Sequence, residues 1–369
     1  MIQILTHLML AALSVAPAAS TNADEGRVLE WIESVGGHYS RDQTGEVAGV
    51  DLQNAWVTDA DLEKLVQLPQ LENINLAYTK ITDVGLERLV PLTNVKVLNL
   101  YYAEYVTDLG VAHLKHWDRL EYLNVRGTKV TSSLFEHVSK MTKLRFLDVG
   151  CTRVNDDSFE DLAHLERLER FSFGGNKMSG AALPLLKLLP ALRELSVSGQ
   201  QRTDSGLWSI AVTDFNIDQV AQLDQLEVLD LGETGVSDRG IAELARLKEL
   251  HTLDLRKTRV TSKGIEALAS LPKLRHLKLW QAEGIDDAAV PAFLRMENLE
   301  VLELPETSIT GEGLKQLAQK KNWKQLFVGG VNATPAQIEA VRKALPDCFV
   351  SWWEKPTTEY PAGSRRRDE

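Results

Sequence analysis

The sequence predicts an α/β solenoid of parallel strands backed by short helices, on three observations. A block from Leu226 to Glu249, LEVLDLGETGVSDRGIAELARLKE, is followed immediately by LHTLDLRKTRVTSKGIEALASLPK, so leucines, Thr, Val, Ser/Thr and Gly coincide at a shift of 24 residues. L-x-x-L-x-L at the head of a unit in the 20–29 residue range marks a solenoid. A column of helix-capping residues then recurs at the same phase along almost the whole chain.

Units start at Val47, Leu71, Val95, Leu120, Leu144, Leu168, Leu192, Leu226, Leu250, Leu274, Leu299 and Trp323, twelve in all. Each opens on a strand whose residues alternate inward and outward, as in Leu71, Ile74 and Leu76 against Asn73 and Asn75. The expected N-caps are Thr58, Thr82, Thr107, Thr131, Asn155, Ser179, Thr203, Ser237, Thr261, Asp286, Thr310 and Thr334. All are types whose side-chain oxygen accepts from an orphan N–H of a helix start. Three residues further on stands Gly85, Gly110, Gly206, Gly240, Gly264 or Gly313. Gly is unfavourable inside a helix, so its recurrence implies close packing of the first turn on a neighbouring coil.

The pattern L-x-x-L-x-L-x-x-T-x-V-T-D-x-G-L, as in Leu71 to Leu86, resembles leucine-rich-repeat proteins of the T-D-x-G-L subtype, most closely exported bacterial members. The resemblance covers Asp24 to about Asp347 and implies a right-handed horseshoe with strands on its concave face and helices on its convex face. The related F-box proteins carry a ubiquitin-ligase docking domain, for which the residues before Val47 leave no room.

Outside the repeats, Met1 to Ser20 holds no Asp, Glu, Lys or Arg and is mostly apolar from Ile4 to Val15. It reads as a signal peptide (residues 1–20), the alternative being an uncleaved anchor. Residues 24–46 are expected to form an N-terminal cap: a helix over Asp24–Val35, Gly36-Gly37, and a short strand over His38–Arg41. The repeats occupy 47–347, and 348–369 form a C-terminal cap through Cys348, Phe349, Val350, Trp352 and Trp353 with a polar tail ending in Arg365-Arg366-Arg367. The unit from Leu192 is ten residues longer than its neighbours. The excess is expected within Trp208 to Gln222, as a functional insertion or a tolerated loop, and Arg202 falls where other units carry a large apolar residue.

A net charge of −11 argues against nucleic acid or an anionic membrane as main partner. Cys151 and Cys348 lie too many coils apart to pair. No H-E-x-x-H, G-x-S-x-G, phosphate loop or paired C-x-x-C occurs, and His113 and His116 lack a good third metal ligand. The reading is therefore non-enzymatic, with no cofactor and no metal.

Binding is expected on the outward strand positions. One row runs Asp51, Asn75, Asn99, Asn124, Asp148, Ser172, Ser196, Asp230, Asp254, Lys278, Glu303, Phe327, and is expected to be solvated and modestly negative, favouring a basic partner or merely keeping the face soluble. Tyr78, Tyr101, Tyr102, Tyr122 and Phe146 fall at outward or turn positions in four successive coils and are expected to form one continuous patch, either an interface or a shield over the sheet. A second candidate is Trp280 beside Arg256, Lys257 and Lys278, with the acids Asp230 and Asp254. The expected function is an exported, periplasmic or extracellular, protein-binding scaffold without stable membrane insertion. A glycan- or envelope-binding module using the same aromatics is the alternative.

Overall fold

A computed structural model describes residues 23–199, 201–202, 208–209 and 212–354. The opening segment, the tail with Arg365–Arg367, Thr203 and Gly206 lie outside the described residues. Two compact units divide at Leu192/Arg193, and residues 201–209 group with the first.

The first unit begins with helix α1 (Ala23–Ser34), which buries Val28, Leu29 and Ile32 and ends where Gly36 takes a φ of +81°. Strand β1 (His38–Arg41) follows and pairs antiparallel with β2 (Val47–Asp51). From β2 onward pairing is parallel and in register through β3 (Asn73–Asn75), β4 (Val97–Asn99), β5 (Tyr122–Asn124), β6 (Phe146–Asp148) and β7 (Arg170–Ser172). The second unit repeats the arrangement. Strand β8 (Glu194–Ser196) is followed by a small hairpin, β9 (Gln201–Arg202) with β10 (Trp208–Ser209), grouped with the first unit. Strands β11 (Val228–Asp230), β12 (Thr252–Asp254), β13 (His276–Lys278), β14 (Val301–Glu303), β15 (Gln325–Phe327) and β16 (Phe349–Ser351) then add in parallel beside β8. Every expected unit thus carries one strand, and its leucines form the core: Leu71, Ile74 and Leu76 in one coil and Leu250, Leu253 and Leu255 in another are essentially inaccessible. On the second strand edge Val350 of β16 is buried, and Trp353 lies over Gly329, whose missing side chain makes room for its ring.

The T-D-x-G-L segment locks each coil to the next. Asp83 accepts from the backbone N (2.8 Å) and Oγ1 (2.7 Å) of Thr107, one coil on. Asp59 does the same for Thr82, Asp108 for Thr131, Asp214 for Ser237, Asp238 for Thr261 and Asp287 for Thr310. This explains the glycines. A Cβ on Gly85 would lie 2.5 Å from Asp59 Oδ1, and one on Gly110 2.5 Å from Asp83 Oδ1. Coils with that glycine start an α-helix directly after the cap, as in α2 (Asp83–Arg88) and α3 (Asp108–His113). Three coils without it, Asp61–Gln67, Phe159–His164 and Leu183–Leu188, wind as tighter 3-10 turns instead.

The cap column needs six corrections. Thr131, Asn155 and Ser179 accept from the N–H two residues on, but the helical turns begin only after Ser133, Ser158 and Ala182. Thr58 donates to Asp61 without capping a helix start, and Ser237 gives its hydroxyl to Asp214. In the long coil the column position belongs to Val212-Thr213-Asp214: Val212 is fully buried, Thr213 bridges to Gly235, and Asp214 takes the inter-coil role. Val212, and not Arg202 of β9, therefore holds the apolar column position of this coil. Local matching of Thr203 and Gly206 to the repeat had hidden a better V-T-D ten residues on. The extra residues fall between Gly199 and Val212, overlapping the expected 208–222 stretch only at its start.

Candidate functional site

Most of the outward strand row is withdrawn from solvent, with Asp51, Asn99, Lys278, Glu303 and Phe327 part-buried. Asn75, Asn124, Asp148, Ser172, Ser196, Asp230 and Asp254 are all buried. Their short side chains turn back on the chain: Asn75 Oδ1 accepts from Ala77 N, Asn124 from Arg126 N, Asp148 from Gly150 N and Asp254 from Arg256 N. Asn75 also donates to Asp51, and Asn99 to Asn75, forming an amide ladder across β2–β4. An unpaired buried backbone N–H would cost ~1–3 kcal/mol, so this row serves the turn after the strand rather than a ligand.

The acids of this row in the second unit are also neutralised. Arg256 places Nη2 3.3 Å from Asp230 Oδ2 and Nη1 3.3 Å from Asp254 Oδ2. Burial, reinforced by the Asp230 charge, raises the Asp254 carboxyl to about 6 even with Arg256 and Lys278 opposing. The expected negative groove is accordingly absent from this stretch. Trp280, two positions further out than Lys278, is partly exposed with Lys257 Nζ 5.7 Å from its ring centre. Its Nε1 reaches Glu306 at 3.4 Å, and Gln281 holds the same carboxylate at 2.7 Å. His276 meets Glu303 at 2.7 Å. These side chains satisfy one another within the surface.

In the first unit the expected aromatic patch separates into two clusters. Tyr122 and Phe146, paired across β5 and β6, stack with ring centres 4.1 Å apart and planes within 5°. Burial pushes the Tyr122 phenol up to about 12 against the opposing effect of the Asn124 side chain beside its hydroxyl. This pair covers the sheet.

Tyr78, Tyr101 and Tyr102 form the other cluster: Tyr78–Tyr101 at 5.2 Å edge-to-face, Tyr78–Tyr102 at 5.7 Å near-parallel and Tyr101–Tyr102 at 4.8 Å. Among the described residues no ring contact joins this trio to Tyr122. Every coil turns after its strand through one left-handed residue, and Tyr78 (φ +57°) and Tyr102 (φ +54°) occupy that position, as do Cys151 (φ +53°), Glu233 (φ +62°) and Lys257 (φ +52°). A bulky residue there costs about 1 kcal/mol or more relative to Gly. The alternating outward rule finds Tyr101 but not the projection of Tyr78 and Tyr102, which follows from the positive φ. Tyr78 is 47% exposed and Tyr101 and Tyr102 are half-buried. Burial, with Tyr78 beside it, raises the Tyr101 phenol to about 12.

Sequence reasoning also missed Arg126. It leans over Gly150, ion-pairs with Asp148 at 3.6 Å and donates from Nη2 to Cys151 Sγ at 3.2 Å. The signal was the pair of glycines, Gly127 and Gly150, that leave room for the Tyr102 ring and the guanidinium. Cys151 and Cys348 are free thiols. Among the described residues no group of three His, Cys, Asp or Glu side chains is placed to hold a metal ion. No helix among them is long and apolar enough to cross a membrane.

A family model described as "Leucine Rich repeat" matches residues 248–269. No curated protein matches the chain. Among solved structures, an internalin from Listeria monocytogenes is similar at 18% identity, covering 92% of this chain and 98% of its own, with a TM-score of 0.55. A leucine-rich-repeat protein of Leptospira interrogans shares 18% identity over 78% of this chain and 80% of its own, with a TM-score of 0.41. With the coil geometry above, the family match and the internalin likeness make the fold an α/β leucine-rich-repeat solenoid.

Proposed function

We propose that the chain is a non-catalytic protein-binding scaffold whose contact site is the Tyr78–Tyr101–Tyr102 trio on the strand side of the first unit. The leucine-rich-repeat fold is a typical protein-binding scaffold, which supports the general class. The observation that carries the site is the pair of tyrosines at the left-handed turn positions of successive coils, which groups them with Tyr101 in one partly exposed cluster. Tyrosine supplies large contact area, a polar tip and little entropy to lose, as interface anchors require. The inter-coil Asp-to-Thr links support placement in the T-D-x-G-L subtype. The uncharged apolar opening segment supports export.

Replacing Tyr78, Tyr101 and Tyr102 together with Ala tests the site. Proteins enriched from native extract by the wild-type chain and identified by mass spectrometry should be lost from the variant, while its circular dichroism and unfolding midpoint stay near wild type. An unchanged set of captured proteins from a folded variant overturns the assignment.

A further inference from the structure

The residue just before each coil's buried Val/Ile column forms a row of its own on the first unit: Trp56, Lys80, Tyr105, Lys129, Arg153 and Lys177. Trp56 (84%) and Tyr105 (48%) are among the most exposed aromatics, and Lys80, Arg153 and Lys177 are exposed. Lys80 Nζ lies 5.0 Å from the Trp56 ring centre and Lys129 Nζ 4.9 Å from that of Tyr105. Some other cations of this unit pair with acids one coil away, as in Arg88–Glu63, Lys96–Glu72 and Arg145–Glu169. Among the described residues no carboxylate stands within ion-pair distance of Lys80, Lys129, Arg153 or Lys177. Glu104 is the one acid adjoining the row in sequence, and the aspartates of the following cap, Asp59, Asp83, Asp108 and Asp156, are turned to the next coil's N–H and hydroxyl donors. The corresponding positions of the second unit, Gly235, Arg259, Gly284, Ser308 and Asn332, carry a single cation. A stripe of unmatched positive charge on a chain of net charge −11 is therefore local to the first unit.

The backbone here continues the sheet ladder. Thr82 bridges to Tyr105 and Thr131 to Arg153, while Lys129 N donates to Val106 O and Arg153 N to Val130 O, both at 2.9 Å. Successive members of the row are thus spaced as neighbouring strands are, ~4.8 Å apart.

We propose that this row binds a linear polyuronate, an acidic polysaccharide with one carboxylate per sugar. In a two-fold chain the carboxylates on one side recur once per disaccharide, and the lysines of the row, Lys80, Lys129 and Lys177, stand in alternate coils, ~9.6 Å apart at the ~4.8 Å strand step. An extended acidic peptide steps ~3.3 Å per residue, and its same-side carboxylates recur at ~6.6 Å, out of phase after two coils. Duplex DNA, at one charge per ~1.7 Å of axis, calls for denser cations. Trp56 and Tyr105, two coils apart, offer faces to sugar rings at intervals of a disaccharide, and the paired lysines hold those rings upright. The site is distinct from the tyrosine trio and requires no protein partner.

Binding of the full chain to polygalacturonate is the test, with dextran, poly-glutamate and phosphatidylglycerol vesicles alongside and salt varied from about 50 to 300 mM. The expected result is polygalacturonate binding that weakens with salt, no binding to dextran, and weaker binding to poly-glutamate and vesicles. Replacing Lys80, Lys129, Arg153 and Lys177 together with Gln should lower affinity at least tenfold and flatten the salt dependence, whereas Arg259→Gln leaves both unchanged. All four sites are surface positions, and circular dichroism of the quadruple variant confirms folding. Absence of polygalacturonate binding, an unaltered quadruple variant, or equal or tighter binding to poly-glutamate or vesicles would each overturn the proposal. Loss of protein capture by the tyrosine variant with polygalacturonate binding intact separates the two sites.

Discussion

Tyr122 stacks on Phe146 while its buried hydroxyl has only the Asn124 side chain beside it. A net hydrogen bond contributes only about 1 kcal/mol, so Tyr122→Phe, which keeps the stack, should change stability by no more than about 1 kcal/mol, read from urea unfolding. Asp254 gives a prediction with a pH sign. Its folded pKa, about 6, is raised above the ordinary carboxylate value of 3.8, so its contribution is most favourable below pH 4 and is lost as pH rises through 6. Asp254→Asn removes this titration. The stability of the variant relative to wild type should therefore increase between pH 4 and pH 7.5, and a parallel pair of pH profiles would show the assignment to be mistaken. Neither prediction was legible in the sequence. Alternation placed Asp254 and Tyr122 outward correctly but said nothing of how the next row, Arg126 and Arg256, folds back over the sheet and removes it from water.

At the scale of the coil, the unit of construction is a contact between neighbours: an aspartate in one helix start, a threonine in the next, and a glycine that admits the aspartate. The sequence displayed the column of Thr and Gly plainly because each position answers to one local requirement. It did not display that the aspartate serves the following coil, since the link runs 23 or 24 residues forward. A double-mutant cycle measures it. Gly85→Ala should destabilise by ~1–3 kcal/mol through the clash with Asp59, and Asp59→Ala by a similar amount through loss of the Thr82 bonds. Combined, the two should cost less than their sum, because the alanine at 85 then occupies the space the carboxylate leaves. The tyrosine trio was half legible for a related reason. Its members were found by their type, whereas their grouping apart from Tyr122 depends on the left-handed turn, which no periodicity announces.

Within each unit of the molecule, stability is expected to be the sum of coil terms and neighbour terms. The most local contacts join residues about one coil apart, a sequence separation that favours rapid, propagating formation over a single concerted closure. Each unit also carries its own surface: tyrosines and unmatched cations on the first, acids neutralised by Arg256 and Lys278 on the second. A single figure for net charge conceals that difference, and a row-by-row reading recovers it.

The long coil shows what this lattice permits. Strand β8 pairs with β11 in the same register as any other pair, although Glu194 and Val228 are 34 residues apart, and Val212 returns to the core as if nothing had intervened. The passage from Gly199 to Val212 is thus a port, where chain leaves and re-enters without the array registering its length. Substituting the dipeptide Thr-Gly, as found at Thr234-Gly235, for residues 200–211 should yield a 24-residue coil that unfolds no earlier than the natural one. Conversely, a whole foreign domain with closely spaced termini should be accepted there, making this solenoid a display frame whose cargo can change while its own sequence does not.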